Sequence, residues 1–468
     1  MPTAVPAAAN QTPTAFHWEP QPAAQRILDG LLTEFLERCP EAATLAGRMR
    51  AETGTRFKDW VDHIGAPRSS ELRQRLAETG FSLRPQPGAP ECHVHEGAMF
   101  CPVILGDDAT MRVGIKVDSV ADFLATWSAA GLALGEGAVL GEPLAPLRMA
   151  RVFTGRDAEL WVVERHGHRG FLPLASDAGK GVAALGHLEA LRRRRRDFER
   201  DEDGLAELNR LLDASVAEIG QDWSCDLFFA TEREFWQRRN RAAQVQKARQ
   251  DKLGLGWANH DHHTYRCSRA EFTGLVAAWE KLGLRCRESF YAGAEAGWGA
   301  QVMESSATGI TTFNDVDLSP EELMGDFAHT SLAPREKLGT VGLWCALHGE
   351  ALLQAGMHHL ECQFDHHALV QQLEREGGVK TMAPFTTFPY LRQAFTEGER
   401  WAVNPARVDR LVAAGRITPE QGARFKAEGA LGSHLENLER NDGFKGFNQQ
   451  GVSDIIARTD PRRQTVPV

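Results

Sequence analysis

The side chains best suited to chemistry lie in two histidine-rich segments, Trp257-Ala-Asn-His-Asp-His-His-Thr-Tyr-Arg266 and Met357-His-His-Leu-Glu-Cys-Gln-Phe-Asp365. An extended strand alternates its side chains between two faces. On that period His260, His262, Thr264 and Arg266 share one side of the first segment. In the second, His359, Glu361, Gln363 and Asp365 share a side, with Leu360, Cys362 and Phe364 opposite. An apolar row backing a polar row marks a sheet with one face against helices and the other lining a wet cup. Imidazoles and a carboxylate converging in such a cup suit a divalent metal; two imidazoles and one carboxylate suit Fe(II) with open positions. By residue type, the first imidazole is His63, His93 or His95, and the second His260, His262 or His263. The carboxylate is Glu164, Glu304 or Glu361, with Glu361 ahead because its strand has the cleaner two-faced pattern.

The elements that must position these residues follow a recurring order. A helical period over Gln25–Ala51 precedes a strand at Phe57–Ile64, a helix from Ser69 stopped by Gly80, and strands at Phe81–Arg84 and Cys92–Leu105. A related progression restarts at Met111–Val117, with a helix from Val120 and strands at Leu147–Phe153 and Glu159–Glu164. A third begins at Asn259, with a helix capped by Ser268 and strands at Leu284–Phe290 and Trp298–Ser305; the strand of Glu361 completes it after a long insertion. The fold class predicted is α+β: duplicated βαβββ modules forming a cupped mixed sheet, with a large helical insertion or surround. Five regions are expected: a tail over 1–24, an N-terminal module with the first metal strand over 25–180, a helical connector over 181–255, a second metal-binding module over 256–405, and a C-terminal helical segment and tail over 406–468.

Composition narrows the partners. With 468 residues, 42% hydrophobic and 25% charged, the chain can fill two or three domains or one large repeated one. A formal charge of −10 argues against a nucleic-acid partner. The basic run Arg192–Arg196 does not change this, because Glu199, Asp201, Glu202 and Asp203 follow it, as on a solvated helix. The eight cysteines are scattered without a Cys-x-x-Cys pair, which fits a reduced cytoplasmic protein better than a disulfide framework. The first twenty residues lack the basic start and apolar core of a signal peptide, and no apolar stretch is long enough for a membrane partner.

Several segments, taken in order, resemble the 2-oxoadipate dioxygenase/decarboxylases, also called hydroxyglutarate synthases, of the vicinal-oxygen-chelate superfamily. Asp62-His-Ile-Gly-Ala-Pro-Arg68 looks like that family's first metal strand, and Asp261-His-His-Thr-Tyr-Arg266 like its second. Leu360-Glu-Cys-Gln363 falls at its carboxylate motif, and Thr387-Phe-Pro389 with Leu391-Arg-Gln393 at a Phe-Pro segment followed by Arg-Gln. Gly446-Phe-Asn-Gln449 is similar to a stretch near its C-terminus. The resemblance implies Fe(II) held by His63, His262 and Glu361, with Arg68, Arg266, Arg392 and Gln449 toward the substrate and Glu304 as rival ligand or substrate contact. His63 and Arg68 are five apart where the family spaces four, so Arg68 needs a bulge to face the metal. The implied activity is a dioxygenase that decarboxylates and hydroxylates a small 2-oxo acid, with dioxygen, to a 2-hydroxy acid. Related sheets also host extradiol ring-cleaving dioxygenases, Zn or Ni lyases and isomerases, and a non-catalytic ligand-binding member is the remaining alternative.

Overall fold

The computed structural model describes residues 18–129, 139–173, 178–293, 296–448 and 460–462. Its strands are β1 Val61–Pro67, β2 Ser82–Leu83, β3 Cys92–Val94, β4 Val103–Gly106, β5 Met111–Lys116, β6 Leu147–Gly155, β7 Ala158–Arg165, β8 His260–Arg266, β9 Arg285–Tyr291, β10 Trp298–Glu304, β11 Thr311–Asp317, β12 His359–Gln363, β13 Thr386–Phe388, β14 Leu391–Phe395, β15 Glu399–Trp401 and β16 Ala430–Arg440. They form two mixed sheets, ordered β2-β3-β4-β1-β5-β7-β6 and β13-β14-β16-β12-β8-β11-β10-β9, with β15 beside β16.

Each sheet is a pair of modules joined through their first strands; three of the four run βαβββ, and the one starting at β5 shows two strands after its helix among the described residues, with an isolated bridge Leu140–Met149 beside them. In the first sheet β1 and β5 are antiparallel neighbours; in the second β8 and β12 are. The last strand of each module returns parallel beside its first: β4 to β1, β7 to β5, β11 to β8 and β16 to β12. Parallel return needs a crossover, and helices Ser70–Glu78, Val120–Ala129, Phe272–Lys281 and His366–Gly377 follow the four first strands. Ser69 and Asp365 start two of these helices by accepting from Leu72 N–H and Ala368 N–H, each at 3.0 Å. The duplicated βαβββ architecture read from the sequence is therefore present, as two sheets.

Helices between residues 178 and 251 pack on the back of the second sheet. Phe228, Phe229 and Trp236 meet Tyr265, Trp279, Leu360, Cys362 and Phe364 in one apolar core, and each large side chain buried contributes roughly 1.5–3 kcal/mol. The basic run belongs to this packing: Arg194 and Arg196 both donate to the buried Glu232, at 2.6 and 2.5 Å, and Arg192 donates to Glu234 at 2.6 Å. Among the described residues no helix is long and apolar enough to cross a membrane.

The structure differs from the sequence reading at residues 406–468. Two helices, Pro405–Ala413 and Pro419–Glu428, do lie there, but β16 follows and runs through the middle of the second sheet. Leu431, Leu435 and Leu438 recur at intervals of four and three, which mimics a helical period. Nearly every residue of β16 is buried, so the alternation that marks a half-exposed strand is absent.

Candidate metal centre

One rung across three strands carries the group best able to hold an ion. Glu361 on β12 is paired in register with His262 on β8 and with Glu436 on β16. Each offers one ligand atom, and these lie within 4.8 Å of one another, all buried. His262 Nε2 stands 3.0 Å from Glu361 Oε1. The next rung places Thr264, His359 and His434 side by side on the same strands. Thr264 Oγ1 donates to Glu361 Oε1 at 2.7 Å, and His359 Nε2 lies 2.5 Å from the same oxygen. Gln393 on β14 donates to Glu436 Oε1 at 2.8 Å.

A bulge aims His262 into the cup. Cys362 pairs with His260 and Glu361 with His262, leaving Asp261 as the extra residue of β8. Asp261 turns back to accept from His262 Nδ1 at 2.8 Å, which leaves Nε2 for a ligand. Arg440, at the end of β16, grips Asp261 through Nε and Nη2 at 2.9 and 3.2 Å. Its Nη1 donates to the carbonyls of Phe444 and Gly446 and so positions Phe447, whose ring edges His262 at 5.0 Å.

Burial and the mutual charges of these groups perturb every acid and base on the rung. Burial and the adjacent Glu361 carboxylate push Glu436 far above the usual carboxylate range. Burial opposes ionisation of Glu361 as well, but His262 and His359 outweigh it and hold Glu361 low. For His262, the charges of Glu361 and Asp261 overcome burial and raise it to about 9. Two buried carboxylates share one rung with imidazoles as their only ion-pair partners among the described residues, and Glu361 Oε2 has no hydrogen-bond partner. A divalent cation bound here would satisfy that oxygen and take the place of the protons that Glu436 and His262 otherwise hold. One nitrogen and two oxygens suit Fe(II), Mn(II) or Zn(II).

The cup above the rung holds about 50 Å³, walled by Phe290, Trp298, Phe313, Phe385, Phe395 and Phe447. Arg266, two residues beyond Thr264, lines it and is 2% exposed. Among the described residues its nearest acid, Asp315, is 3.6 Å away, and the Arg266 Nε and Nη1 atoms have no hydrogen-bond partner. Burial, reinforced by Glu361, pushes Asp315 up to about 8 despite Arg266. The Nε and Nη1 atoms of Arg266 are therefore donors that an anion in the cup would satisfy.

The structure brings His262, Glu361 and Arg266 together and places the other sequence candidates elsewhere. His63 lies on the first sheet, where its Nδ1 is 2.8 Å from Asp62 and its ring edges Phe171; it does not belong to the rung on β8, β12 and β16. Arg68 is on the surface, paired with Glu91 at 2.5 Å and with Asp107, so no bulge turns it inward. The bulge of β1 falls at Asp62 instead. Glu304 lies in the cleft between the sheets, 3.0 Å from Lys445. Arg392 points outward and its neighbour Gln393 inward, because the side-chain period of β14 admits one of the pair. Gln449 lies outside the described residues. The bulge of β8 also turns His260 from His262's side to that of His263, with ring centroids 4.9 Å apart. His93 sits beside Glu91, and His95 packs between Phe81 and Phe100. Glu164 accepts from Val120 N–H at 2.8 Å.

The sequence reading missed Glu436, His434, Asp315 and Arg440. A signal for the first two exists: His359-Leu-Glu361 recurs as His434-Leu-Glu436, and the two copies lie side by side on parallel strands.

No protein-family model and no curated protein matches the sequence. Among solved structures, a glyoxalase-superfamily protein from Ralstonia eutropha JMP134 is 13% identical, covering 57% of this chain and 95% of its own, with a TM-score of 0.32. A variant 4-hydroxymandelate synthase from Streptomyces coelicolor is 12% identical over 87% of this chain and 98% of its own, TM-score 0.26. Methylmalonyl-CoA epimerase from Mycobacterium tuberculosis is 12% identical over 39% and 87%, TM-score 0.22. Likenesses this loose carry no argument, and the site stands on the chain's own residues.

Proposed function

We propose that the chain is a metal-dependent enzyme of small acids, and specifically a non-haem Fe(II) dioxygenase that decarboxylates and hydroxylates a small 2-oxo acid. The observation that carries this reading is the pairing, in one dry cup, of a cation-shaped donor rung with the unsatisfied guanidinium of Arg266. His262, Glu361 and Glu436 would hold the ion. When bound, it would supply open positions for a chelating 2-oxo acid and dioxygen, and the electrons that dioxygen chemistry needs. Arg266 would anchor a substrate carboxylate through paired hydrogen bonds. Asp261 and Arg440 keep the His262 tautomer fixed, and the six aromatic rings exclude bulk water. A cavity of about 50 Å³ favours a small acid over a large ester or a polycyclic substrate.

The donor set has one imidazole and two carboxylates, rather than the two imidazoles and one carboxylate expected. That composition favours a second reading, an oxygen-independent lyase or isomerase using the same cup with Zn(II) or Mn(II). Anaerobic loading with Fe(II), followed by oxygen-electrode and carbon-dioxide measurements over a panel of 2-oxo acids including 2-oxoadipate, separates the two. Coupled oxygen uptake and carbon dioxide release support the dioxygenase; their absence across the panel ends that reading.

A further inference from the structure

Beside the rung lies a second cluster that the reaction above does not use. His358, His359 and His434 each offer a ring nitrogen, and these lie within 4.8 Å of one another, all buried. The hydrogen bonds fix which nitrogens are bare. His358 Nδ1 donates to Gly432 O at 2.9 Å, which leaves Nε2 as an acceptor without a partner. His359 directs Nε2 at Glu361, which leaves Nδ1 without one. His434 Nε2 is likewise unpartnered, all three among the described residues. The three residues are 0%, 7% and 2% exposed. Phe395 lies 3.9 Å from the His434 ring and Trp344 5.1 Å from that of His358, and all three histidines border the cup together with Arg266, Glu361 and Glu436.

A buried ring nitrogen without a partner costs folding free energy, and three clustered together cost it three times over. Packing alone does not call for imidazole here, since phenylalanine or leucine fills such a space without that penalty. Three buried imidazole nitrogens at this spacing are instead a donor set for a borderline divalent cation such as Zn²⁺ or Co²⁺.

We propose that His358, His359 and His434 form a second, all-imidazole metal site adjoining the cup. Its ion would polarise His359, tighten the hydrogen bond from Nε2 to Glu361, and so hold that carboxylate in place. The proposal does not depend on an ion at His262, Glu361 and Glu436, because the two donor sets share no residue.

The test is metal stoichiometry on the full chain. Chelator-stripped protein is titrated with Co²⁺ and with Zn²⁺, and bound metal is read by calorimetry, elemental analysis and the visible spectrum of Co²⁺. The expected result is two ions per chain, with one lost in His434→Gln and again in His358→Gln. The other should be lost in Glu436→Gln, and each ion should have its own Co²⁺ spectrum. Circular dichroism on each variant checks folding, and the spectrum of half-loaded wild-type protein serves if one variant fails to fold. A single ion lost in His434→Gln but kept in Glu436→Gln upholds this site and removes the cup as a metal centre. A single ion insensitive to both His434→Gln and His358→Gln, or no ion at all, overturns the proposal.

Discussion

The two sheets carry the same clip around different centres. On β1 and β8 a bulge makes an aspartate the extra residue, and that aspartate holds the next histidine at 2.8 Å: Asp62 with His63, Asp261 with His262. An arginine ending the strand two places over, which runs antiparallel to the aspartate's own, grips each aspartate twice: Arg165 the first, Arg440 the second. Each arginine also donates to two carbonyls downstream, and a phenylalanine then edges the histidine, Phe171 at 4.9 Å and Phe447 at 5.0 Å. The rungs diverge at their centres. Where the second sheet reads His262–Glu361–Glu436, the first reads His63–Gly114–Trp161. A Cβ at Gly114 would stand 2.4 Å from the His63 ring, so no carboxylate fits there without moving it. The clip alone therefore does not assemble a donor set; on the second sheet the next two strands in order supply the carboxylates.

This comparison predicts its largest contrast in metal affinity. His262→Ala or Glu361→Gln should weaken binding of Fe(II) or Co(II) in the cup by about 100-fold or more, whereas His63→Ala should leave cup affinity unchanged. Isothermal titration of the three variants decides it. A matching loss in His63→Ala would mean that the two clips serve one ion and that the sheets close further than the structure shows. Next in size is the substrate anchor. If a charged hydrogen-bonded pair is worth about 1.5–3 kcal/mol, Arg266→Met should raise KM for a 2-oxo acid roughly 10- to 100-fold. Arg68→Ala, on the surface of the first sheet, should leave KM as it was.

How far the sequence reveals the site follows from the same pairings. His262, Glu361 and Arg266 are legible because a strand period of two acts within one segment. His63 misleads because Asp-His in a bulged strand is the duplicated feature, and the sequence repeats the clip faithfully while its centre changes at Gly114 and Trp161. Those changes lie on other strands, and only the register joins them. Glu436 escapes for a related reason: β16 is buried on both faces and its leucines keep a helical interval, so its His-Leu-Glu copy looks like part of a helix. The modular order survives because each first strand needs a crossover helix, and helix caps such as Ser69 and Asp365 are local signals.

The clips themselves give a smaller effect. Asp261→Asn should lower cup metal affinity about 10- to 100-fold by loosening the His262 tautomer, while Asp62→Asn should cost stability alone. Burial opposes ionisation of Asp62, but Arg165 and His63 outweigh it and hold its pKa below the ordinary range. Its contribution is therefore present above about pH 4, the usual carboxylate value, and is lost as pH falls through the depressed folded value. Acid unfolding of metal-free protein, followed by circular dichroism, should show a shallower acid limb in Asp62→Asn than in wild type.

The smallest effect separates the clips at their next residue. After Arg440 comes Asn441, which donates to Pro389 O at 3.2 Å. After Arg165 comes His166, held between Asp226 at 2.8 Å and Glu164 at 3.1 Å, so that the first sheet is tied to helix Gln221–Gln237. Burial lowers the pKa of His166, but these two acids more than compensate and raise it to about 10. A raised folded value stabilises fully below the unfolded imidazole pKa near 6.5, and the gain is lost as pH climbs through about 10. His166→Gln should therefore cost about 1 kcal/mol at pH 6, after allowing for partial exposure, and almost nothing at pH 10.5. Denaturant midpoints at the two pH values check this. An equal cost at both would mean that His166 acts by packing, and that the first sheet's clip is fastened to the helices by shape rather than by charge.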